Sequence, residues 1–232
     1  MTSTSPKLDS ELAYERIVEQ LLSQRIVEDV PLSERNLSKK LELGRTPIRE
    51  AVRDLVREGV LQSHPLRGTF LPALSIADLQ DMYEVRLAIE GLAVSLVVER
   101  GAVQELEPFA LEFDRALQAD AGWDVAQVHR RGVEMHEEIF RLSGNRRLVE
   151  MYRPLRLRFR IPLAMVHPGR PERVRASLAE HFALVSAILR RDGKAAATSI
   201  RDHLREGLEY RTGLLLNRSG GPRTTLLKLP DD

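Results

Sequence analysis

Four arginines recur at every fourth position from Arg45 to Arg57, and this spacing constrains the fold more than any other feature of the chain. Because an α-helix turns once in about 3.6 residues, side chains four positions apart lie on one face. The apolar residues of the segment have the i, i+3, i+4, i+7, i+8 spacing of a second, buried face. They are Ile48, Ala51, Val52, Leu55 and Val56. We therefore predict an amphipathic helix that opens at Arg45-Thr46-Pro47, with Thr46 as its N-cap.

The segments around this helix predict the rest of a small domain. A short helix is expected over residues 34–41, with Ser33 as its cap, and a tight break at residues 42–44. After the basic helix, residues 60–63 and 68–72 predict two short strands around a His-Pro-Leu-Arg-Gly turn. Helix, turn, basic helix and two-stranded ribbon are typical of a winged helix-turn-helix, a structure that reads DNA.

The distribution of charge, rather than its total, supports the same interpretation. The formal net charge of the 232 residues is only +1, but residues 35–57 carry seven basic and three acidic side chains. Focused positive charge is what contact with DNA phosphates requires. The alternative is an ordinary solvated face with Arg–Glu or Arg–Asp pairs. For Arg57, which lies near Asp54 and Glu58, we favour such a pair over a DNA contact.

The composition excludes several other classes of protein. The chain has no cysteine, which rules out disulfides, zinc–thiolate sites and thiol catalysis. The longest apolar run, residues 92–98, is much shorter than the roughly 20 residues that cross a bilayer. The first residues show no cationic and apolar pattern of a secretory signal. We expect a cytoplasmic, nucleoid-associated protein without a membrane partner.

Beyond the wing the sequence changes to helix after helix. Six helices are predicted, near residues 75–100, 103–119, 123–143, 145–165, 171–191 and 194–216. Ser75 with Asp78 predicts a capping box at the start of the first. The expected fold is mainly α, an N-terminal winged helix-turn-helix followed by an all-α six-helix bundle. The predicted divisions are a disordered tail (1–9), a DNA-binding domain (10–72), a linker (73–75), an effector-binding and dimerisation domain (76–216) and a second disordered tail (217–232).

The first domain resembles the GntR family of bacterial transcription regulators. The matching residues are Pro31 to Arg35, Leu37, Gly44 to Ala51, Leu55, Glu58-Gly59 and Pro65 to Gly68. The helical remainder contains a second set of matching residues: Tyr83 to Arg86, Glu90, His136, Ser143 to Asn145, Glu180-His181, Asp192-Gly193 and His203-Leu204. With these residues it resembles the FCD-type ligand-binding domain of the FadR-like subfamily. The resemblance implies a homodimeric regulator, expected to be a repressor, on a pseudo-palindromic double-stranded operator.

The basic helix and the wing supply the candidate DNA contacts. Arg45 and Arg49 lie at the tip of the predicted recognition helix, where an arginine can pair with guanine O6 and N7 in the major groove. Thr46 is small enough for close approach, and Gly68 allows the wing to approach the minor groove. The full set of candidate DNA-binding residues is Arg35, Arg45, Thr46, Arg49, His64, Arg67 and Gly68.

Three histidines on different predicted helices are the candidate metal ligands. The resemblance places ligands at His136, His181 and His203, and neutral imidazoles suit Zn²⁺, Ni²⁺ or Fe²⁺. The family's fourth ligand is an aspartate one turn before the first histidine, where this chain has Gly132. The departure removes an anchoring carboxylate, so metal affinity should be lower. Without a metal, the three imidazoles would bind an anion directly or through water.

The candidate effector contacts are Arg86 and Asn145. A guanidinium inside a bundle is costly unless it meets an anion, so Arg86 is expected to bind the carboxylate of a small organic acid; its alternative partners are Glu90 and Asp81. Asn145 is expected to cap the following helix and to face the pocket. Two rival functions are an acyl-CoA sensor, which the six-helix bundle disfavours, and a metal-dependent enzyme with a glutamate such as Glu180 as its acid or base.

Overall fold

The computed structural model describes residues 6–23, 26, 28–119, 125–165 and 170–219, and the chain divides into two compact units. The first contains residues 1–74 and 153–166, and the second contains residues 75–152 and 167–232. The elements are α1 (Pro6–Leu22), α2 (Glu34–Leu41), α3 (Arg45–Arg57), β1 (Gln62–His64), β2 (Gly68–Phe70), α4 (Ile76–Arg100), a 3-10 turn (Val103–Leu106), α5 (Glu107–Gln118), α6 (Val125–Leu142), α7 (Arg146–Met165), α8 (Pro171–Leu189) and α9 (Gly193–Ser219). The fold is mainly α, as predicted.

The core of the first unit lies where α1 and α2 pack against α3. α3 buries Ile48, Ala51, Val52 and Leu55, which confirms most of its predicted apolar face. Each aliphatic side chain that is fully buried here stabilises the unit by about 1.5–3 kcal/mol relative to an exposed one. The second half of α7 adds Leu157 and Ile161 to this core, an assignment that the sequence did not predict.

The helix caps of the first unit agree only in part with expectation. The Ser33 hydroxyl accepts the backbone N–H of Asn36 at 3.3 Å, so the predicted cap of α2 is confirmed. The prediction of Thr46 as the cap of α3 is wrong. Gly44 occupies the cap position, with no side-chain hydrogen bond, and Thr46 lies inside the first turn. A cap residue precedes the helix in a non-helical conformation, which Gly44 adopts instead.

The wing is a two-stranded antiparallel ribbon in which Ser63 pairs with Thr69. Its strands are shorter than predicted, because the Val60 and Leu61 N–H groups donate to the Leu55 carbonyl at the end of α3 and Leu71 forms a parallel bridge with Glu28. Gly68 at the turn has a φ of +79°, in the left-handed region that favours glycine. The ribbon is therefore anchored at its base and projects its turn outward.

The six helices predicted after the wing are all present, and a 3-10 turn precedes the second of them. Only the first half of α7 belongs to the second unit. α4 packs mainly against α9, α8 packs against α9 and α5, and α6 packs against α4 and α8. The capping box is confirmed: the Ser75 hydroxyl accepts the Asp78 N–H at 3.0 Å and the Asp78 carboxylate accepts the Ser75 N–H at 3.1 Å. Among the described residues, no helix is long and apolar enough to cross a membrane.

The ends of the chain differ from expectation where they are described. α1 begins at Pro6 rather than near Ser10, and α9 extends to Ser219 rather than ending at residue 216. The remaining parts of the predicted tails, residues 1–5 and 220–232, lie outside the described residues.

Candidate functional site

The tip of α3 presents an exposed polar and basic surface. Arg45, Thr46 and Arg49 are all exposed there, and Arg35 is exposed on α2. The Arg49 Nε lies 3.3 Å from the Glu34 Oε2, and both side chains keep solvent contact. Such a pair can open when a phosphate or a base edge competes for the guanidinium.

The wing turn carries the other candidate DNA contacts. His64, Arg67 and Gly68 are exposed, and the Arg67 guanidinium lies 4.9 Å from the centre of the Phe70 ring. His64 accepts the Leu66 N–H through its Nδ1 at 3.3 Å, a hydrogen bond within the turn. The structure thus places the predicted residues on two surfaces of the first unit, the helix tip and the wing.

Further along α3, the expected non-DNA pairing is confirmed. The Arg57 Nη2 lies 2.8 Å from the Asp54 Oδ1, on the solvent side of the helix. Glu58 instead accepts a hydrogen bond from the Tyr14 hydroxyl at 2.6 Å, which joins α1 to the end of α3. Burial and this carboxylate raise the pKa of Tyr14 above its ordinary value.

The second unit brings the three predicted histidines together in its interior. His136 on α6, His181 on α8 and His203 on α9 are all buried, and each offers a ring nitrogen within 4.8 Å of the others. The His181 and His203 ring centres are 4.6 Å apart, and those of His136 and His203 are 5.2 Å apart. We call these residues the three-histidine cluster.

Two of the three imidazoles have a carboxylate next to their Nδ1 atom. The Glu90 Oε2 lies 2.8 Å from the His136 Nδ1, and the Glu180 Oε2 lies 2.8 Å from the His203 Nδ1. Burial lowers the pKa of His203 to about 4, although Glu180 opposes this effect. Burial and the neighbouring histidines also lower the pKa of His181 well below its ordinary value. His181 and His203 are therefore neutral at pH 7, the state in which imidazole binds metals.

Gly132 has a structural role at the cluster. A Cβ atom at this position would lie 2.4 Å from the Cε1 of His181 and 3.0 Å from its Nδ1. The imidazole of His181 thus occupies the space that an aspartate side chain would need. Its Nδ1 is buried without a hydrogen-bond partner among the described residues, so a polar group remains for a ligand.

Arg86 lies beside the cluster but is paired within its own helix. Its Nε donates to the Glu90 Oε1 at 2.6 Å, and both residues are buried. Although burial works against the charged guanidinium, Glu90 raises the pKa of Arg86. Burial favours the protonated carboxyl, but Arg86 and His136 hold the pKa of Glu90 below its ordinary range. An anion at Arg86 would have to share the guanidinium with Glu90.

Asn145 caps α7, as predicted. Its side-chain oxygen accepts the N–H groups of Arg147 and Leu148, each at 3.1 Å. The buried Ser143 hydroxyl donates to the Phe140 carbonyl at 2.7 Å and accepts the Asn145 N–H at 3.3 Å. The Ser-Gly-Asn corner therefore has a local structural function.

Sequence reasoning did not identify Arg211 and Gly207, and it named Tyr83 only as part of the family resemblance. Arg211 donates through its Nη1 to the Tyr83 hydroxyl at 2.8 Å and to the Gly207 carbonyl at 3.2 Å. The sequence pattern that could have indicated them is the i, i+4, i+8 spacing of His203, Gly207 and Arg211 along α9. That spacing shows a shared face but does not show that Tyr83 packs on it.

Comparison with known families agrees with both units. Residues 10–71 match the model of the bacterial regulatory proteins of the gntR family, and residues 81–206 match the FCD domain model. The chain belongs to the GntR family of bacterial regulators with an FCD domain. It is therefore a transcription regulator, and the rival interpretation as a metal-dependent enzyme is removed.

Individual relatives are transcription regulators as well. The Nta operon transcriptional regulator of Aminobacter aminovorans is 29% identical over 178 residues, which cover 75% of this chain and 81% of the relative. The HTH-type transcriptional repressor NanR of Cronobacter sakazakii is 26% identical over 219 residues, which cover 84% and 82%. The structure of E. coli McbR/YncC has a TM-score of 0.73 at 20% identity and covers 95% of this chain and 100% of that one, a likeness of fold.

Proposed function

We propose that this regulator is a repressor whose second unit binds a small carboxylate effector through a divalent metal held by the three-histidine cluster. The observation that carries the proposal is the convergence of three buried imidazoles with an unpartnered Nδ1 on His181. Buried polar groups are normally hydrogen-bonded, so such a cluster needs a ligand. The NanR relative, named as a repressor, supports the direction of regulation.

The residues present fit a metal ion by their chemistry. Glu90 and Glu180 lie within hydrogen-bonding distance of the Nδ1 atoms of His136 and His203, so each Nε2 is the nitrogen left for a metal. Carboxylates behind ligating histidines orient the ring and increase its basicity. When bound, the metal would supply a positive charge for an effector carboxylate. Three protein ligands leave coordination positions for that carboxylate or for water.

Arg86 and Asn145 remain the proposed effector contacts, but each also has a partner within the protein. Arg86 would contribute positive charge to the site while it stays paired with Glu90. At Asn145 the side-chain amide nitrogen is the group that capping does not use. Both side chains would orient an effector rather than supply most of its binding energy.

The first unit would bind operator DNA through the helix tip and the wing. We place Arg45 and Arg49 against base edges, with Thr46 close to the DNA backbone and Arg35 on phosphate or the same groove. His64, Arg67 and Gly68 would approach the minor groove from the wing turn. A homodimer would place two copies of α3 on a pseudo-palindromic site, and the effector would shift the population between geometries that fit the operator and those that do not.

A double variant of the cluster tests the metal proposal. In His136→Ala/His181→Ala, the affinity for Zn²⁺ or Ni²⁺ should fall by about tenfold or more, measured by calorimetric titration of chelator-treated protein. Binding of the apo protein to DNA should stay unchanged, because the substitutions lie in the second unit.

His64→Ala is the control for metal uptake, since His64 lies on the wing of the first unit, outside the three-histidine cluster. Its metal affinity should equal that of the wild type. A wild-type protein that takes up no metal under stoichiometric loading would refute the metal part of the proposal.

A further inference from the structure

Arg211 is a cation with no carboxylate contact in the part of the chain that the structure describes. Its Nη1 is hydrogen-bonded to two neutral oxygens, those of the Tyr83 hydroxyl and the Gly207 carbonyl. Its Nε is buried and has no partner among the described residues. Burial lowers the pKa of Arg211, and the charges of Arg86 and Arg173 lower it further. Arg211 is half-buried as a whole, and its charge has no counter-ion among the described residues although its Nε is buried.

The neighbouring arginines differ from Arg211 in this respect. Arg86 is neutralised by Glu90 at 2.6 Å, and Arg173 binds Glu180 through two nitrogens at 2.6 and 3.1 Å. Since both carboxylates are paired with those arginines, neither serves as the counter-ion of Arg211. An anion from outside the chain would offset its charge.

Gly207 creates the space in which Arg211 and Tyr83 meet. A Cβ at position 207 would lie 2.8 Å from the Tyr83 hydroxyl oxygen and 3.1 Å from the Arg211 Nη1. The glycine lets both groups reach the backbone of α9. The FCD match ends at residue 206, so neither Gly207 nor Arg211 belongs to the matched pattern.

The position of Arg211 on α9 relates it to the three-histidine cluster. His203, Gly207 and Arg211 follow one another at intervals of four residues. Helical side chains lean towards the N-terminus, and the bond to the Gly207 carbonyl confirms that Arg211 does so. Its Nη1 thus lies near Gly207, about one helical turn, or roughly 5–6 Å along the axis, from His203.

We propose that Arg211, held in place by Tyr83 and Gly207, binds one carboxylate of a small dicarboxylate effector beside the three-histidine cluster. The inference rests on the proposed function in taking the effector to be a small carboxylate. The planar guanidinium donates to two carboxylate oxygens at once, and the second carboxylate is within reach of the cluster. Arg211, rather than the Glu90-paired Arg86, is then the main anion contact.

Calorimetric titration with malonate tests this assignment. Arg211→Gln should weaken malonate binding by about 10- to 100-fold, because a charged hydrogen-bond partner is lost. Its Zn²⁺ affinity, measured without malonate, should equal that of the wild type. Arg211→Lys should retain part of the malonate affinity, since it keeps the charge without the two-pronged geometry.

A second pair of variants tests the same site without Arg211→Gln, in case that variant fails to fold. Gly207→Ala should weaken malonate binding by displacing Tyr83 and Arg211. Gly213→Ala is the control, because a Cβ there meets no atom within 4 Å, and it should bind malonate as the wild type does.

The possible failures are distinguishable. Equal malonate affinity in wild type and Arg211→Gln, or no malonate binding by the wild type, would overturn the Arg211 assignment. Tighter Arg211-dependent binding of inorganic phosphate than of malonate would overturn the carboxylate class. A wild type that binds no Zn²⁺ but still binds malonate through Arg211 would refute the proposed metal while supporting the Arg211 site.

Discussion

Two Arg–Glu pairs, one in each unit, have similar chemistry and different surroundings. Arg49–Glu34 has an N–O distance of 3.3 Å, with side chains 52% and 33% exposed. Arg86–Glu90 has a distance of 2.6 Å, with side chains 10% and 3% exposed. Water screens the first pair, whereas in the second each charge depends on the other.

This difference relates each pair to the function of its unit. An exposed pair contributes about 0–1 kcal/mol, so Arg49 can exchange Glu34 for a phosphate or a base at little cost. Arg86 has no such freedom, because separation would leave Glu90 buried and charged beside His136. The exposed arginine is suited to binding a partner, and the buried arginine is suited to supporting the cluster.

The largest expected effect comes from breaking the buried pair. Glu90→Gln keeps the shape of the side chain but removes its charge, which leaves Arg86 without a counter-ion. The free energy of unfolding should fall by about 3–5 kcal/mol, measured by urea denaturation. The double variant Arg86→Met/Glu90→Met should recover part of this loss. Equal instability of the single and double variants would show that lost packing, rather than an uncompensated charge, causes the effect.

A smaller effect is expected when arginines of the helix tip are removed. Arg45→Ala or Arg49→Ala should weaken binding to a duplex selected by the wild-type protein by about 1–3 kcal/mol and relax base preference, with no loss of stability. Fluorescence anisotropy over a series of base substitutions measures both. Arg57→Ala is the control, because Arg57 is paired with Asp54, and it should bind nearly as the wild type does. Equal losses in all three variants would mean that α3 contributes only general charge.

The sequence was most informative where the signal is local. The apolar spacing of α3 and the Ser75–Asp78 box depend on residues within a few turns, so their predictions were confirmed. Thr46 failed as a cap because Thr and Gly are both acceptable there, and the backbone path selected Gly44. Which of two nearby residues becomes the cap depends on how the helix packs, and a local sequence pattern does not show that packing.

The site was predictable only in part, because its electrostatics depend on several helices. Resemblance identified His136, His181 and His203, but not that Arg211 would lack a carboxylate. That property depends on which acids the other helices bring near it. The membership of Leu157 and Ile161 in the first core is a similar case, since an amphipathic helix does not specify its partner.

The smallest effect is expected when the glutamate of the exposed Arg49–Glu34 pair is replaced by glutamine, the change already considered for Glu90. Glu34→Gln should change the free energy of unfolding by less than about 1 kcal/mol, because water screens the pair and Glu34 lies at the start of α2, where an acid has only a modest dipole effect. DNA affinity should rise slightly, since Glu34 no longer competes with DNA for Arg49 and a negative charge is removed from the binding surface.

Anisotropy titrations at several salt concentrations measure this gain in DNA affinity, which should diminish as salt increases. A loss of stability as large as that of Glu90→Gln would mean that exposure does not distinguish the two pairs. Weaker DNA binding would instead mean that Glu34 orients Arg49 for its contact, so that the pair acts together on DNA.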